Sequence, residues 1–271
     1  MVKGYIFIGL FLLFGLVHAQ EVFRVPARFR SLGNASVSLQ SPLAIFSNPA
    51  GFSVTTTLSA GIMYENRFLL KELQTTSAFI VVPVENTNLG ISFSQFGKGG
   101  YRENKLSFGM AKKLSPRITA GLQFHYYTIY LDENSERPGA VLIDFGTQFR
   151  LADQLWLGVQ IFNPYEIGIQ THTLDLDYPL VMRLGMHKTF EDAVLLAVEL
   201  KKRTDQSVAV CSGLEIRIRE ALQLRLGVDS EWSTLSMGVG FSFGQLQTDL
   251  AFSYHQYLGA SPSVSIYYQL P

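Results

Sequence analysis

From about Thr55 onward, apolar residues alternate with small or polar ones in short runs broken by turn residues. This period of two marks a β-strand whose two faces meet different surroundings. Residues 233–243 show it most plainly: Leu235, Met237, Val239, Phe241 and Phe243 share one face, with Ser236, Gly238, Gly240 and Ser242 on the other. The same split sets Ile118, Ala120, Leu122, Phe124 and Tyr126 against Thr119, Gly121, Gln123, His125 and Tyr127. It also sets Leu222, Leu224, Leu226 and Val228 against Gln223, Arg225, Gly227 and Asp229. Counting the runs predicts strands near residues 55–66, 72–83, 87–97, 103–113, 117–130, 139–150, 154–163, 180–189, 192–201, 207–218, 221–229, 233–244, 246–257 and 262–270, about fourteen in all.

Alternation alone also fits a soluble sandwich with its apolar face turned inward. The second face decides between them. A solvated sheet favours Thr, Lys and Glu there, whereas this one is rich in glycine, which weakens a strand unless another backbone approaches or the sheet bends. Composition points the same way: 16% of residues are charged, against about 25% in ordinary soluble domains. The first 19 residues add a positive Lys3, an apolar run from Tyr5 to Val17 and a small residue, Ala19, at a cleavage position, the form of a secretory signal that leaves Gln20 first in the mature chain. That run is shorter than the roughly 20 residues of a spanning helix, and no later stretch approaches it. A membrane crossing must then be a closed sheet, because only helices and barrels satisfy every backbone group in lipid. The expectation is an all-β, transmembrane antiparallel β-barrel over residues 54–271, with outer-membrane lipid around it and a polar lumen within.

The connections carry a second pattern. Short ones fall at residues 113–116, 150–153, 189–192, 219–221 and 243–246, and longer ones at 97–103, 131–138 and 163–179, always on the opposite side. Bacterial barrels keep short turns in the periplasm, which predicts a periplasmic N-terminus. A barrel of this size has a lumen needing a plug or holding a ligand. Residues 20–53 are the candidate plug: they contain Pro26, Pro42 and Pro49 and many apolar residues, among them Phe23, Phe29, Leu32, Phe46 and Phe52, too many for a disordered tail.

This segment also resembles a known family. Ser31-Leu32-Gly33-Asn34-Ala35-Ser36, followed by Ala44-Ile45-Phe46-Ser47-Asn48-Pro49-Ala50-Gly51-Phe52, resembles the N-terminal signature of the PorV/PorQ family, related to the FadL fatty-acid transporters. In place of the acidic pair of many relatives, this chain has Gln40-Ser41-Pro42. The resemblance implies a FadL-like barrel of about fourteen strands, with Gly33, Asn34, Ala35, Phe46, Asn48, Pro49, Ala50 and Gly51 in the plug or hatch. It implies one of two activities: an accessory barrel of type IX secretion and surface attachment that binds secretion-system proteins or secreted cargo, or a FadL-like channel for a hydrophobic ligand.

Strand parity directs Asp144, Arg183, Glu199, Glu215, Arg217, Arg225, Asp229 and Asp249 into the lumen, and hairpin register predicts pairs Glu215–Arg225 and Arg183–Glu199. For a docking role, residues 163–179 present Tyr165, Ile167, Ile169, Leu174 and Tyr178 to a partner; for passage, a strand kink near Gly90 and Gly97 to Gly100 opens the wall sideways. His125 and His255 are expected toward the outer rim and His187 toward the periplasm, too dispersed for a metal site. No His-x-Ser element, adjacent Asp-His pair, P-loop or Rossmann fingerprint occurs in the sequence, so neither enzyme activity nor a cofactor is expected. With 22 basic and 22 acidic residues, nothing favours nucleic acid, and the single Cys211 rules out an internal disulfide.

Overall fold

The computed structural model describes residues 24–131, 137–170 and 175–270. The signal segment 1–19, Phe23, most of the 131–138 connection and Leu174 lie outside them. Fourteen strands close into one antiparallel barrel: β1 (Ser59–Asn66), β2 (Gln74–Val84), β3 (Thr87–Phe96), β4 (Tyr101–Ser115), β5 (Ile118–Leu131), β6 (Gly139–Ala152), β7 (Leu155–Phe162), β10 (Val181–Phe190), β11 (Val194–Arg203), β12 (Ala209–Arg219), β13 (Leu222–Asp229), β14 (Thr234–Phe243), β15 (Leu246–His255) and β16 (Gly259–Gln269). Each strand pairs with its sequence neighbour in the wall, and β16 closes the ring on β1, from Ser59 opposite Gln269 to Glu65 opposite Ser263. A two-rung hairpin of β8 (Ile169–Gln170) and β9 (Asp175–Leu176) stands apart from the wall.

The alternation has the physical meaning that the sequence assigned to it. Outward residues such as Phe108, Phe124, Phe145, Leu184, Leu226, Met237 and Leu250 are exposed, forming an apolar belt. Their neighbours Ser107, Gln123, Asp144, Arg183, Ser236 and Asp249 are buried inside. β1 begins at Ser59 rather than near Thr55, because residues Pro49–Val54 form a 3-10 helix whose Pro49, Ala50 and Phe52 are already buried against the lumen wall. Short turns join β2 to β3, β4 to β5, β6 to β7, β10 to β11, β12 to β13 and β14 to β15, at the end where β1 starts and β16 finishes. The longer connections all lie at the other end.

The predicted sideways opening is not there. β3 pairs with β2 from Thr75–Phe96 to Val84–Thr87 and with β4 from Thr87–Lys112 to Phe96–Glu103, with no shift of register on either side. Gly97 and Gly99 take positive φ angles in the turn that follows, and Gly90 faces the plug, where a Cβ would come within 2.6 Å of Ile45 Cδ1. These glycines serve a turn and a close approach, and the wall stays intact.

Candidate functional site

Residues 24–58 fill the lumen. After Arg24 the chain forms a single helical turn, α1 (Ala27–Ser31), packed against β13 to β16. It then crosses the barrel without regular structure and runs through two 3-10 helices, Pro42–Phe46 and Pro49–Val54. Phe29, Leu32, Leu39, Leu43, Ile45, Phe46 and Phe52 are essentially inaccessible to solvent and pack with Met63, Phe79 and Val81 of the wall.

An irregular segment at membrane depth must find partners for its own amides and carbonyls. The wall supplies them. Asn88 donates to the carbonyls of Phe52 (2.7 Å) and Thr55 (2.9 Å). Gln123 donates to Ile45 at 3.1 Å, Gln160 to Ser47 at 2.6 Å, and Gln148 to both Val37 and Leu39 at 3.1 Å. These four inward amides come from β3, β5, β7 and β6, and replace the ladder that the plug lacks. From β11 the Glu199 carboxylate accepts the amides of Ser36 (2.8 Å) and Val37 (2.9 Å). Within the plug, Asn48 is the stitch: its amide donates to Val37, Thr147 and Val159 carbonyls while its oxygen accepts from Ala50 N.

The inward glycines explain how a backbone gets so close. They occupy facing positions across neighbouring strands: Gly90 opposite Gly109, Gly121 opposite Gly146, Gly158 opposite Gly185 and Gly213 opposite Gly227. A Cβ at Gly158 would fall on the Val37 carbonyl, and one at Gly227 on the amide of Gly33. Gly33 itself has φ +61°, in the left-handed region that favours glycine. The glycine-rich face is therefore the seat of the plug.

Charge completes the lock. Arg183 donates to Glu199 at 2.6 Å and 3.0 Å, to Gln160 at 2.8 Å, and to the plug hydroxyls of Ser47 (3.0 Å) and Ser36 (2.8 Å). Nearer the short turns, Arg225 donates to both Glu215 and Asp249 at 2.6 Å, and Arg28 of the plug reaches Glu215 at 3.1 Å. Burial opposes the charge on Arg28, yet the facing Glu215 carboxylate holds its guanidinium above the usual arginine range. Both ion pairs expected from hairpin register are present. Asp229 accepts from plug Asn34 at 2.6 Å. Arg217 shares the inward parity but stands exposed at the short-turn mouth, lining an open polar basin of about 440 Å³ with Arg28, Glu215 and Asp249.

Several lumen charges escaped the sequence reading. Plug residues Arg24 and Arg30 pair with wall residues Glu103 (3.0 Å) and Glu65 (2.9 Å), while Lys201 and Arg203 engage Glu231. The parity of Glu65 and Lys201 was a usable signal; their partners were not. Among the histidines, His125 is buried beside Ser107 (2.8 Å), deeper than its expected rim position, and His187 is buried against plug Ser38 (3.1 Å). His255 sits half-buried at the long-loop end. Among the described residues no group of side chains is arranged to hold a metal.

The segment expected to present a docking surface folds inward instead. Ile169 and Tyr178 are buried with Tyr127, Ile129, Leu142, Phe162 and Val181 in an apolar cluster beneath the long loops, because Asn163 turns the loop back by bonding to Tyr178 O (2.6 Å) and Ile167. Ile167 is half-buried and, among the described residues of that set, only Tyr165 stands out, at 75% exposure. Voids inside the lumen are water-sized, about 20 Å³ beside Arg183 and Trp232 and about 30 Å³ between Arg30 and His255.

No family model matches the chain, and no curated protein does. Among solved structures it is similar to a deltaS2S3 mutant of the TodX monoaromatic hydrocarbon channel, with TM-score 0.69 and 13% identity over 93% of this chain and 100% of that one. It is also similar to the Pseudomonas putida toluene transporter TodX, at 0.67 and 12% over 92% and 99%. A Pseudomonas aeruginosa FadL homologue gives 0.67 and 12% over 90% and 98%. The fold is that of the FadL-like barrels.

Proposed function

We propose that the protein is a non-enzymatic outer-membrane channel for small hydrophobic molecules, closed in this conformation by its plug. One observation carries the reading: beneath the long loops lies an aromatic and aliphatic cluster of Tyr127, Leu142, Phe162 and Tyr178, and directly below it the path is blocked by residues 24–58 rather than by the wall. Opening of the inward-folded loop that carries Tyr178 exposes this buried apolar cluster to an apolar solute, and displacement of the plug releases the solute inward. The FadL-like fold supports this, since the solved channels of that fold pass monoaromatic hydrocarbons or toluene. In this reading the short turns lie in the periplasm and the long loops outside.

The second reading, an accessory barrel of PorV/PorQ type serving type IX secretion, draws on the unbroken wall and the water-sized voids, which suit a scaffold. Purification in mild detergent separates the two. Passage predicts a monomeric barrel that retains a monoaromatic hydrocarbon saturably, weakened about tenfold or more by Phe162→Ala, which strips an aromatic from the cluster and costs roughly 3 kcal/mol of contact. Co-purifying secretion proteins with no saturable retention reject the channel in favour of the scaffold.

A further inference from the structure

On the outer surface, at the long-loop edge of the apolar belt, two arginines flank one tyrosine. Arg102 and Tyr130 face each other across the β4–β5 pairing, with the Arg102 guanidinium 4.3 Å from the Tyr130 ring centre and that of Arg137 at 5.9 Å. All three are on or beside the outward register that carries Leu106 and Phe108 on β4 and Phe124 and Tyr126 on β5. Gln95 and Asn104, hydrogen-bonded to each other at 3.0 Å, adjoin them, and Lys98 is exposed in the preceding turn. The Nε of Arg102 is buried and has no hydrogen-bond partner among the described residues, and no carboxylate among those residues lies within ion-pair distance of Arg102 or Arg137.

Height matters as much as charge. Arg102 lies six positions from Phe108, about 20 Å along a strand, which a tilt of about 40° reduces to about 15 Å along the membrane normal. That is just past half of an apolar belt about 25 Å tall, the level of the headgroups, where tyrosines also anchor. A guanidinium packed against an aromatic ring is held in position, and its planar fork of donors suits bidentate phosphate recognition.

We propose that Arg102, Tyr130 and Arg137 form a binding site for the phosphate of an outer-leaflet glycolipid, with the acyl chains lying on the adjacent belt. The site is independent of the channel reading. It depends on the long loops facing outward, and that is checked separately.

The probe is diphosphoryl lipid A in mixed detergent micelles, read by native mass spectrometry. The wild-type protein should hold it, and Arg102→Gln with Arg137→Gln together should weaken binding roughly thirtyfold, since each cation near a lipid surface contributes about a factor of five. Dephosphorylated lipid A should bind wild type no better than the double variant binds lipid A, and millimolar inorganic phosphate should not displace it. Unchanged binding in the double variant, or equal binding of the dephosphorylated lipid, overturns the proposal. Labelling of Tyr257→Cys in intact cells by an impermeant maleimide is the orientation check; absence of labelling puts this rim in the inner leaflet and also overturns it. Both arginines are on the surface, so heat-modifiable gel migration should show the variants folded.

Discussion

Arg183→Met should unseat the plug while leaving the wall closed on itself. Arg183 joins two wall strands to the plug, bonding Glu199, Gln160, Ser36 and Ser47 at once. Methionine fills a similar volume but leaves the Glu199 carboxylate, 1% exposed, with no cation. Breaking one half of a buried ion pair costs about 3–5 kcal/mol, a loss of two to three orders of magnitude in plug occupancy. Trypsin cleavage at the buried plug arginines Arg24 and Arg30 reads this directly, as a rise in rate of about a hundredfold. A second substitution, Glu199→Met, should recover only part of the loss. It removes the stranded charge but strips the Ser36 and Val37 amides of their acceptor, each worth about 1–3 kcal/mol when left unmet. Cleavage of Arg183→Met at the wild-type rate contradicts the lock.

Gly158→Ala and Gly227→Ala should act on the same equilibrium from the opposite cause. Neither removes a bond. Each adds one methyl where the plug backbone already sits, at Val37 O and at Gly33 N. A side chain would have room to turn, but these backbone atoms do not: Val37 O is held by Gln148 and Asn48, and Gly33 N is tied to Arg30 O beside an Asn34 bound to wall Asp229. Overpacking of this kind costs about 1–3 kcal/mol per site. The two glycines contact different parts of the plug, so the double variant should approach the sum, with plug proteolysis at least about fivefold faster than either single variant. The outward face of both strands is untouched, so the heat-modifiable shift on gels should persist. Loss of that shift, with no gain in plug proteolysis, means that the glycines serve wall curvature instead.

How far all this could be read from the sequence follows from what repeats and what does not. The wall repeats: residues 233–243 alternate so regularly that β14 emerges at Thr234–Phe243, and the hairpin pairs Arg183–Glu199 and Glu215–Arg225 follow from parity and a short turn. The facing glycines were visible as an anomaly on the polar face, and a closely approaching backbone was one of the two physical reasons available for it. The plug has no such periodicity. Its Arg28 meets Glu215 at a separation of 187 residues, and nothing local in either stretch selects that partner. The depth of His125 and the inward fold of Tyr178 failed for a related reason. A rim position on a strand says nothing of a loop that turns back over it, and here Asn163 directs that turn. The Gly90 kink was an expectation attached to the passage reading; the contact with Ile45 accounts for that glycine without any bend.

The central claim is that solute passes only when the plug moves, and a reversible tether tests it most directly. Ser38 of the plug and His187 of the wall lie 3.1 Å apart at their polar atoms, so Ser38→Cys with His187→Cys, in a Cys211→Ala background, places two thiols for a short cleavable bridge. Flux of a monoaromatic hydrocarbon into proteoliposomes is then measured with the bridge closed and after its cleavage. The account predicts flux abolished by the bridge and restored when it is cut; equal flux in both states, or none in either, contradicts it.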